Sequence, residues 1–134
     1  LKIENPDIVV TFNKEGESRH PDHIKISKTA TLAFEQYLRN AVKHVRLYYT
    51  ANPRKLVREM RKAGFSYTAF GKIKGTPDSQ ITTVIDVSET MPVKIKAIKC
   101  HRTQNKDWER FLKRREMFKI DKEYFRLILE NKFV

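Results

Sequence analysis

The sequence predicts an α/β fold in which helices layer against a mostly parallel sheet. Three runs rich in β-branched and aromatic residues, at residues 7–12, 45–50 and 81–87, have the composition of buried strands. Between them, apolar residues recur at the spacing of amphipathic helices. Strands that alternate with helices are typical of βαβ units, in which successive strands run parallel.

The first strand leads through a polar loop into a long helix. Residues 7–12 follow Pro6 and precede a loop at 13–22 that contains Gly16. A helix is predicted from about His23, because apolar residues then recur every three or four positions. The expected buried face of this helix consists of Ile26, Ala30, Ala33, Phe34, Tyr37 and Ala41.

The second half of the chain carries signals for helix starts and stops. Asn52 before Pro53 predicts a helix start, because Asn is a good N-cap and Pro fits the first helical position. Gly64 predicts the end of that helix. The remaining predicted elements are an irregular segment at 66–80, the strand at 81–87, a helix from about 90 to 103, a helix at 106–118 with Trp108, Phe111 and Leu112 inward, and a segment at 124–129 that fits either a strand or a helix.

Length and composition limit the class of protein. The chain has 134 residues, of which 40% are hydrophobic and 33% charged, and this suits one globular domain. It begins with Leu and runs almost directly into a strand, so we expect residues 1–134 to be a single partial domain. No apolar run approaches the roughly 20 residues of a membrane-spanning helix, and no signal peptide is visible. The single cysteine, Cys100, excludes an internal disulfide and a cysteine-based zinc site, and a cytoplasmic location is expected.

The net charge of +12 raises a binding function as an alternative to an enzyme. Residues 51–76 hold seven Lys or Arg against one acidic residue, and the segment after Met91 is also basic. Such a surplus is compatible with a module that binds nucleic acid or an anionic surface. No recognised nucleic-acid motif accompanies the charge, so solvated helix faces are the favoured interpretation and no nucleic-acid partner is expected.

The candidate chemistry lies in the His-Pro-Asp-His segment at residues 20–23, directly after the first strand and its loop. Open α/β sheets bind their ligands at the carboxyl ends of strands. His20 and His23 can serve as metal ligands or as acid–base groups, or they can be ordinary loop histidines. Asp22 can be a ligand, can orient one of the histidines, or can be the N-cap of the following helix.

This segment and several downstream motifs together resemble the second half of the PIG-L/LmbE-like zinc de-N-acetylase family. The matching stretches are residues 6–12, Gly16, 20–24, 47–50, 83–88, 94, 96–97, the His-Arg-Thr-Gln motif at 101–104 and 125–127. The resemblance implies a Rossmann-like three-layer sandwich, of which this chain would be the C-terminal part. It also implies a hydrolase that removes the acetyl group of an N-acetylglucosamine-type sugar or glycoconjugate.

The resemblance assigns roles to individual residues. His23 matches a zinc ligand, His20 matches the histidine that stabilises the oxyanion and protonates the leaving amine, and Asp22 would orient a histidine. The family's A-H-P-D-D-E motif, which supplies two further zinc ligands and the general base, is absent from residues 1–134. We therefore expect this chain alone to bind Zn²⁺ weakly and not to turn over substrate. A non-catalytic family member is a further alternative, and homo-oligomerisation is left open.

Two other residues are candidates for supporting roles. Arg19, beside His20, can contact a polar or anionic substrate, or it can be a solvent-facing loop residue. His101 is predicted to share a helix face with Val93 and Ala97. It can be a hydrogen-bonded core histidine, or, by the resemblance, it can support the active site from behind the residues that bind the metal.

Overall fold

The computed structural model describes residues 1, 3–65, 67–68 and 70–131, without the side chains of 67 and 68. Ser66 and Ala69 of the predicted irregular segment lie outside the described residues. The chain divides into two compact units. The first contains residues 1–83 and the segment from residue 124 onward, and the second contains residues 84–123. The expectation of a single partial domain stays a prediction.

Strands and helices alternate over most of the chain. The strands are β1 (Ile8–Thr11), β2 (Arg46–Ala51), β3 (Tyr67–Thr68), β4 (Gly71–Lys72), β5 (Thr83–Asp86) and β6 (Lys122–Glu130). The helices are the single turn α1 (Gly16–Arg19), α2 (Pro21–Leu38), α3 (Arg54–Lys62), α4 (Met91–Lys99) and α5 (Asn105–Phe118). The predicted α/β class is confirmed. None of the helices in the described ranges is long and apolar enough to cross a membrane.

The main sheet is mixed, so the prediction of a mostly parallel sheet is wrong. Its strand order is β1-β2-β6-β5. β1 and β2 are parallel, with Val9 opposite Leu47, whereas β6 runs antiparallel to β2, with Leu129 opposite Leu47. The segment at 124–129 is thus a strand. Residue pattern does not encode strand direction, and β6 enters beside β2 from the opposite end.

The core of the first unit lies between α2 and the sheet. Phe34 and Tyr37 of α2 pack in one cluster with three buried residues of the second strand region: Val45, Leu47 and Tyr49. The predicted buried face is only partly correct, because Ile26 is 50% exposed. The adjacent Ser27 is buried instead, and its hydroxyl donates to the Phe12 carbonyl oxygen at 2.8 Å. This bond fixes the start of α2 to the end of β1.

The helix α3 begins one residue later than predicted. Pro53 occupies the cap position, and the Arg54 N–H donates to the Thr76 carbonyl at 2.8 Å instead of to an Asn52 side chain. Val57 and Met60 are buried. Gly64 follows the helix with a φ of +81°, which confirms its predicted role at the helix end. Part of the segment predicted as irregular forms the β3–β4 hairpin.

The second unit contains α4 and α5. The helix α4 ends at Lys99, short of the predicted 103, and His101 lies in the following turn. Val93 is 68% exposed, and Ala97 and His101 are also exposed, so the alternative that His101 is a core histidine is wrong. In α5, the side chains predicted to face inward are half-buried: Trp108, Phe111 and Leu112. Ion pairs join Lys94 to Glu123 and, at 2.6 Å, Arg115 to Asp121.

Candidate active site

The loop after β1 is a tight turn built around Asn13. Its side-chain oxygen accepts hydrogen bonds from the N–H groups of Glu15 and Glu17 at 3.0 and 3.1 Å, and its carbonyl accepts from Gly16 N–H at 2.8 Å. Gly16 has a φ of +66°, a left-handed conformation that glycine adopts without steric cost. A Cβ on Gly16 would stand 2.8 Å from the Cβ of His23, so the loop closes directly onto α2.

His23 is held in one orientation and one tautomer. Its Nδ1 lies 3.1 Å from the Gly16 carbonyl oxygen and 3.0 Å from the Ser18 hydroxyl. We assign the ring proton to Nδ1, because the Gly16 carbonyl oxygen only accepts hydrogen bonds, whereas the Ser18 hydroxyl can accept as well as donate. The ring also stacks on Phe12, with centroids 4.1 Å apart and planes 9° apart. Nε2 therefore keeps its lone pair, which is the state of a metal-binding imidazole.

His20 is held in the opposite tautomer, at the N-cap of α2. Its Nδ1 accepts the Asp22 backbone N–H at 3.1 Å, which requires a bare Nδ1 and places the proton of the neutral ring on Nε2. Asp22 is therefore not the N-cap, and that alternative is wrong. The rings of His20 and His23 have centroids 5.2 Å apart, so the structure brings them together. His20 also contacts Phe70 edge-on, at 4.5 Å between centroids.

The Asp22 carboxylate lies beside His20, at the surface. Its Oδ2 is 3.7 Å from His20 Nδ1, and the side chain is 78% exposed. The two atoms form an ion pair only when Nδ1 is protonated, a state in which Nδ1 no longer accepts the Asp22 N–H. The Arg19 backbone has a φ of +64°. Its guanidinium lies beside Gly71 of β4, since Nη1 is 3.6 Å from the position a Gly71 Cβ would take.

No described contact brings the remaining candidate residue, His101, to the two histidines. His101 belongs to the second unit, where its N–H donates to the Ile98 carbonyl at 3.1 Å, and its supporting role stays a prediction. Within the described residues, no group of three or more His, Cys, Asp or Glu could hold a metal ion. The donor chemistry of His23 fits one ligand position, and the described part of the chain does not complete a zinc site around it.

A basic pocket beside the loop was not predicted from the sequence. It has a volume of about 780 Å³ and is lined by the first residues of the loop, by β2, by one face of α3, by residues 74–77 and by β6. The available signal was the spacing of Arg54, Arg58 and Arg61, which places three cations on one face of a helix. The surplus charge at 51–76 thus lies partly in a concave site.

Several known proteins similar to this chain are deacetylases. A relative from Saccharomonospora viridis is 36% identical over 106 residues, which cover 74% of this chain and 38% of the relative. A relative from Saccharopolyspora erythraea is 33% identical, covering 81% of this chain and 37% of the relative. One from Nocardiopsis dassonvillei is 30% identical, covering 96% of this chain and 51% of the relative.

All three relatives are named as deacetylases of 1D-myo-inositol 2-acetamido-2-deoxy-alpha-D-glucopyranoside. The names of these relatives confirm the predicted similarity to N-deacetylases that act on N-acetylglucosamine-type substrates. The chain spans between 37% and 51% of the length of these relatives. No protein-family profile matches the chain, and no solved structure matches it.

Proposed function

We propose that this chain belongs to a PIG-L/LmbE-like, zinc-dependent N-deacetylase that hydrolyses the acetamide of an N-acetylglucosamine-type sugar or glycoconjugate. The observation that carries the proposal is the complementary state of two histidines whose ring centroids are 5.2 Å apart. His23 offers a lone pair on Nε2, and His20 offers a proton on Nε2. The names of the relatives support the same chemistry and substrate class.

His23 would bind the metal through Nε2. Its Nδ1 bond to Gly16 and its stacking on Phe12 reduce the freedom that the ring would lose on coordination. Bound zinc would supply Lewis acidity toward the acetyl carbonyl and toward the attacking water. In the family, two further ligands and the general base come from the A-H-P-D-D-E motif, so the proposal concerns the protein that combines this motif with the present chain.

His20 would act on the substrate through Nε2. Its Nε2–H would donate to the acetyl oxygen as negative charge develops there. Transfer of the Nε2 proton to the leaving nitrogen would need a second proton on Nδ1, which replaces the bond from the Asp22 N–H, so that a neutral imidazole remains when the C–N bond breaks. Water supplies the new C–O bond, and the products are acetate and a free amine. The Asp22 carboxylate, 3.7 Å from Nδ1, would stabilise the positive charge of the His20 ring before this proton transfer.

The test is acetate release by the full-length protein from 1D-myo-inositol 2-acetamido-2-deoxy-alpha-D-glucopyranoside. We expect activity that a chelator removes and Zn²⁺ restores, and a loss of roughly a hundredfold or more in His23→Ala. His44→Ala is the matched control, because its Nε2 pairs with Glu130 at 3.0 Å instead of facing the candidate site. Full activity in His23→Ala would exclude the ligand role. Tight stoichiometric zinc and turnover by residues 1–134 alone would contradict the expectation that the site needs the missing motif.

A further inference from the structure

The basic pocket gathers cations from four separate segments of the first unit. Six cationic side chains line it: Lys14 in the loop after β1, Arg54, Arg58 and Arg61 on α3, Lys74 after β4, and Arg126 on β6. A solvated helix face explains a charged stripe on one element. It does not explain why cationic side chains from four segments of the chain converge on one pocket. The tertiary structure therefore turns a diffuse surplus of charge into a concentrated positive potential.

The charge of the pocket is largely unneutralised. Among the described lining residues, Glu15 supplies the single carboxylate, and its Oε1 is 3.2 Å from Lys74 Nζ. No carboxylate of a described residue forms an ion pair with any of the four arginines of the pocket. Like charges held in one concavity repel each other, and a bound anion would relieve this repulsion.

The shape of the pocket favours a small ligand over a macromolecule. Its volume of about 780 Å³ lies in the range of pockets that enclose small molecules. Arginine is the side chain best suited to a phosphate group, because its planar guanidinium donates two parallel hydrogen bonds to two oxygens. Arg58 and Arg61 lie on one face of α3, three residues apart, so both can reach the same phosphate.

The pocket and the candidate active site share one loop. Asn13 and Glu15 line the pocket, and Asn13 also accepts hydrogen bonds from the N–H groups that shape the turn. Gly16, the next residue, holds His23 through its carbonyl oxygen. A ligand in the pocket would therefore lie next to the loop that positions the proposed zinc ligand.

We propose that this pocket binds a phosphate group carried by the amide substrate, so that the enzyme prefers an anionic N-acetylated glycoconjugate over a neutral one. The substrate named for the relatives contains no ionisable group. The preference thus goes beyond those names, and it rests on the proposed deacetylase function. The phosphate would anchor the substrate at Arg58 and Arg61 while the acetamide lies near His20 and His23.

The first experiment measures the binding of inorganic phosphate to the full-length protein by calorimetry at low ionic strength. We expect the double variant Arg58→Gln/Arg61→Gln to bind phosphate roughly tenfold or more weakly, since each guanidinium contributes charge-assisted hydrogen bonds. Arg126→Gln tests the opposite wall and should also weaken binding. The matched control is Lys55→Gln/Lys62→Gln, which removes two charges from α3 outside the pocket and should change affinity less than about twofold.

The second experiment compares kcat/KM for an N-acetylglucosamine glycoside and for its phosphate monoester. The parent protein should favour the monoester. In Arg58→Gln/Arg61→Gln, kcat/KM for the monoester should fall to the value for the neutral glycoside, whereas the Lys55→Gln/Lys62→Gln control should keep the preference of the parent protein. If phosphate binding falls but no preference exists, the pocket serves a free anion and its assignment to the substrate is overturned. If no glycoside is deacetylated while the double variant still loses phosphate, the proposed function fails and this assignment fails with it.

Two further results would overturn the pocket itself. One is equal phosphate affinity in Arg58→Gln/Arg61→Gln and in the Lys55→Gln/Lys62→Gln control. The other is a phosphate affinity that Arg58→Gln/Arg61→Gln leaves unchanged, together with duplex DNA binding that both double variants weaken equally. That pattern indicates diffuse attraction to a nucleic acid.

Discussion

The carbonyl oxygen of Gly16 lies 3.1 Å from Nδ1 of His23, and the same glycine leaves no room for a side chain against that histidine. One residue thus sets both the tautomer and the position of the ring. The left-handed φ of +66° is what turns the carbonyl toward α2. The function proposed for His23 depends on this loop geometry as much as on the imidazole.

The first prediction concerns Gly16→Ala. The new Cβ would stand 2.8 Å from His23 Cβ and 2.9 Å from Ile24 N, so the loop and α2 must separate. We expect the full-length protein to lose about 1–3 kcal/mol of stability and zinc affinity to fall roughly 10- to 100-fold. Chemical denaturation and zinc titration measure the two effects.

Gly64→Ala is the control for Gly16→Ala. Gly64 has a similar left-handed φ of +81°, but a Cβ there has no heavy atom within 4 Å. Gly64→Ala therefore reproduces the backbone strain without the contact with His23. We expect it to lower the free energy of unfolding by about 1 kcal/mol and to leave zinc affinity unchanged. Equal zinc affinities in the two variants would contradict the role given to Gly16.

The second prediction separates the two roles of His20. His20→Asn keeps a good N-cap for α2 but removes the titratable ring, so stability should change little while kcat falls roughly 10²- to 10⁴-fold. His20→Ala loses the cap as well and should also cost about 1 kcal/mol of stability. A His20→Asn variant with normal kcat and a normal pH profile would show that His20 only caps the helix.

Local pattern predicts the elements of this fold better than their arrangement. The β-branched run of β1 and the apolar spacing around Phe34 and Tyr37 were sufficient to predict a strand followed by a helix. The direction of β6 could not be predicted, because alternation of apolar residues is the same in parallel and antiparallel strands. The buried Ser27 was missed because its burial depends on a hydrogen bond to Phe12, fifteen residues away.

The candidate site could also be predicted only in part. The sequence singled out His20 and His23, and the start of α2 at Pro21, earlier than predicted, brings their ring centroids to 5.2 Å. Their opposite tautomers depend on Gly16 and on the backbone of Asp22, and side-chain identity does not encode these partners. The basic pocket was missed because Lys14, Arg58 and Arg126 are distant in sequence and converge only through tertiary structure.

The third prediction tests the hydrogen bond between Ser27 and the Phe12 carbonyl. Ser27→Ala leaves that partly buried carbonyl without its 2.8 Å partner, and we expect a loss of about 1–3 kcal/mol in the free energy of unfolding. Because Phe12 stacks on His23, zinc affinity should also weaken. Ser79→Ala, at an exposed serine, is the control and should be neutral within about 0.5 kcal/mol. Identical unfolding midpoints for the two variants would refute the bond's contribution.

The fourth prediction concerns pH and the ion pair that joins the segments before the two parallel strands. Lys43 Nζ lies 2.8 Å from Asp7 Oδ1, and the hydrogen bond and charge of Lys43 lower the pKa of the Asp7 carboxyl below its ordinary value. In the unfolded chain this pKa returns to about 4. A carboxyl whose pKa is lower in the folded state stabilises the fold above its unfolded pKa, and this contribution is lost as pH falls through the folded pKa.

Asp7→Asn should therefore reduce the stability of the full-length protein at pH 7 and should have little effect once the pH is well below the folded pKa of Asp7. Both groups lie near the surface, so the difference should also shrink when salt is added at pH 7. Denaturation midpoints of the parent protein, Asp7→Asn, Lys43→Gln and the double variant, measured from pH 7 downward, form a double-mutant cycle. A coupling between the two residues that persists unchanged at the lowest pH would contradict the ion pair as its source.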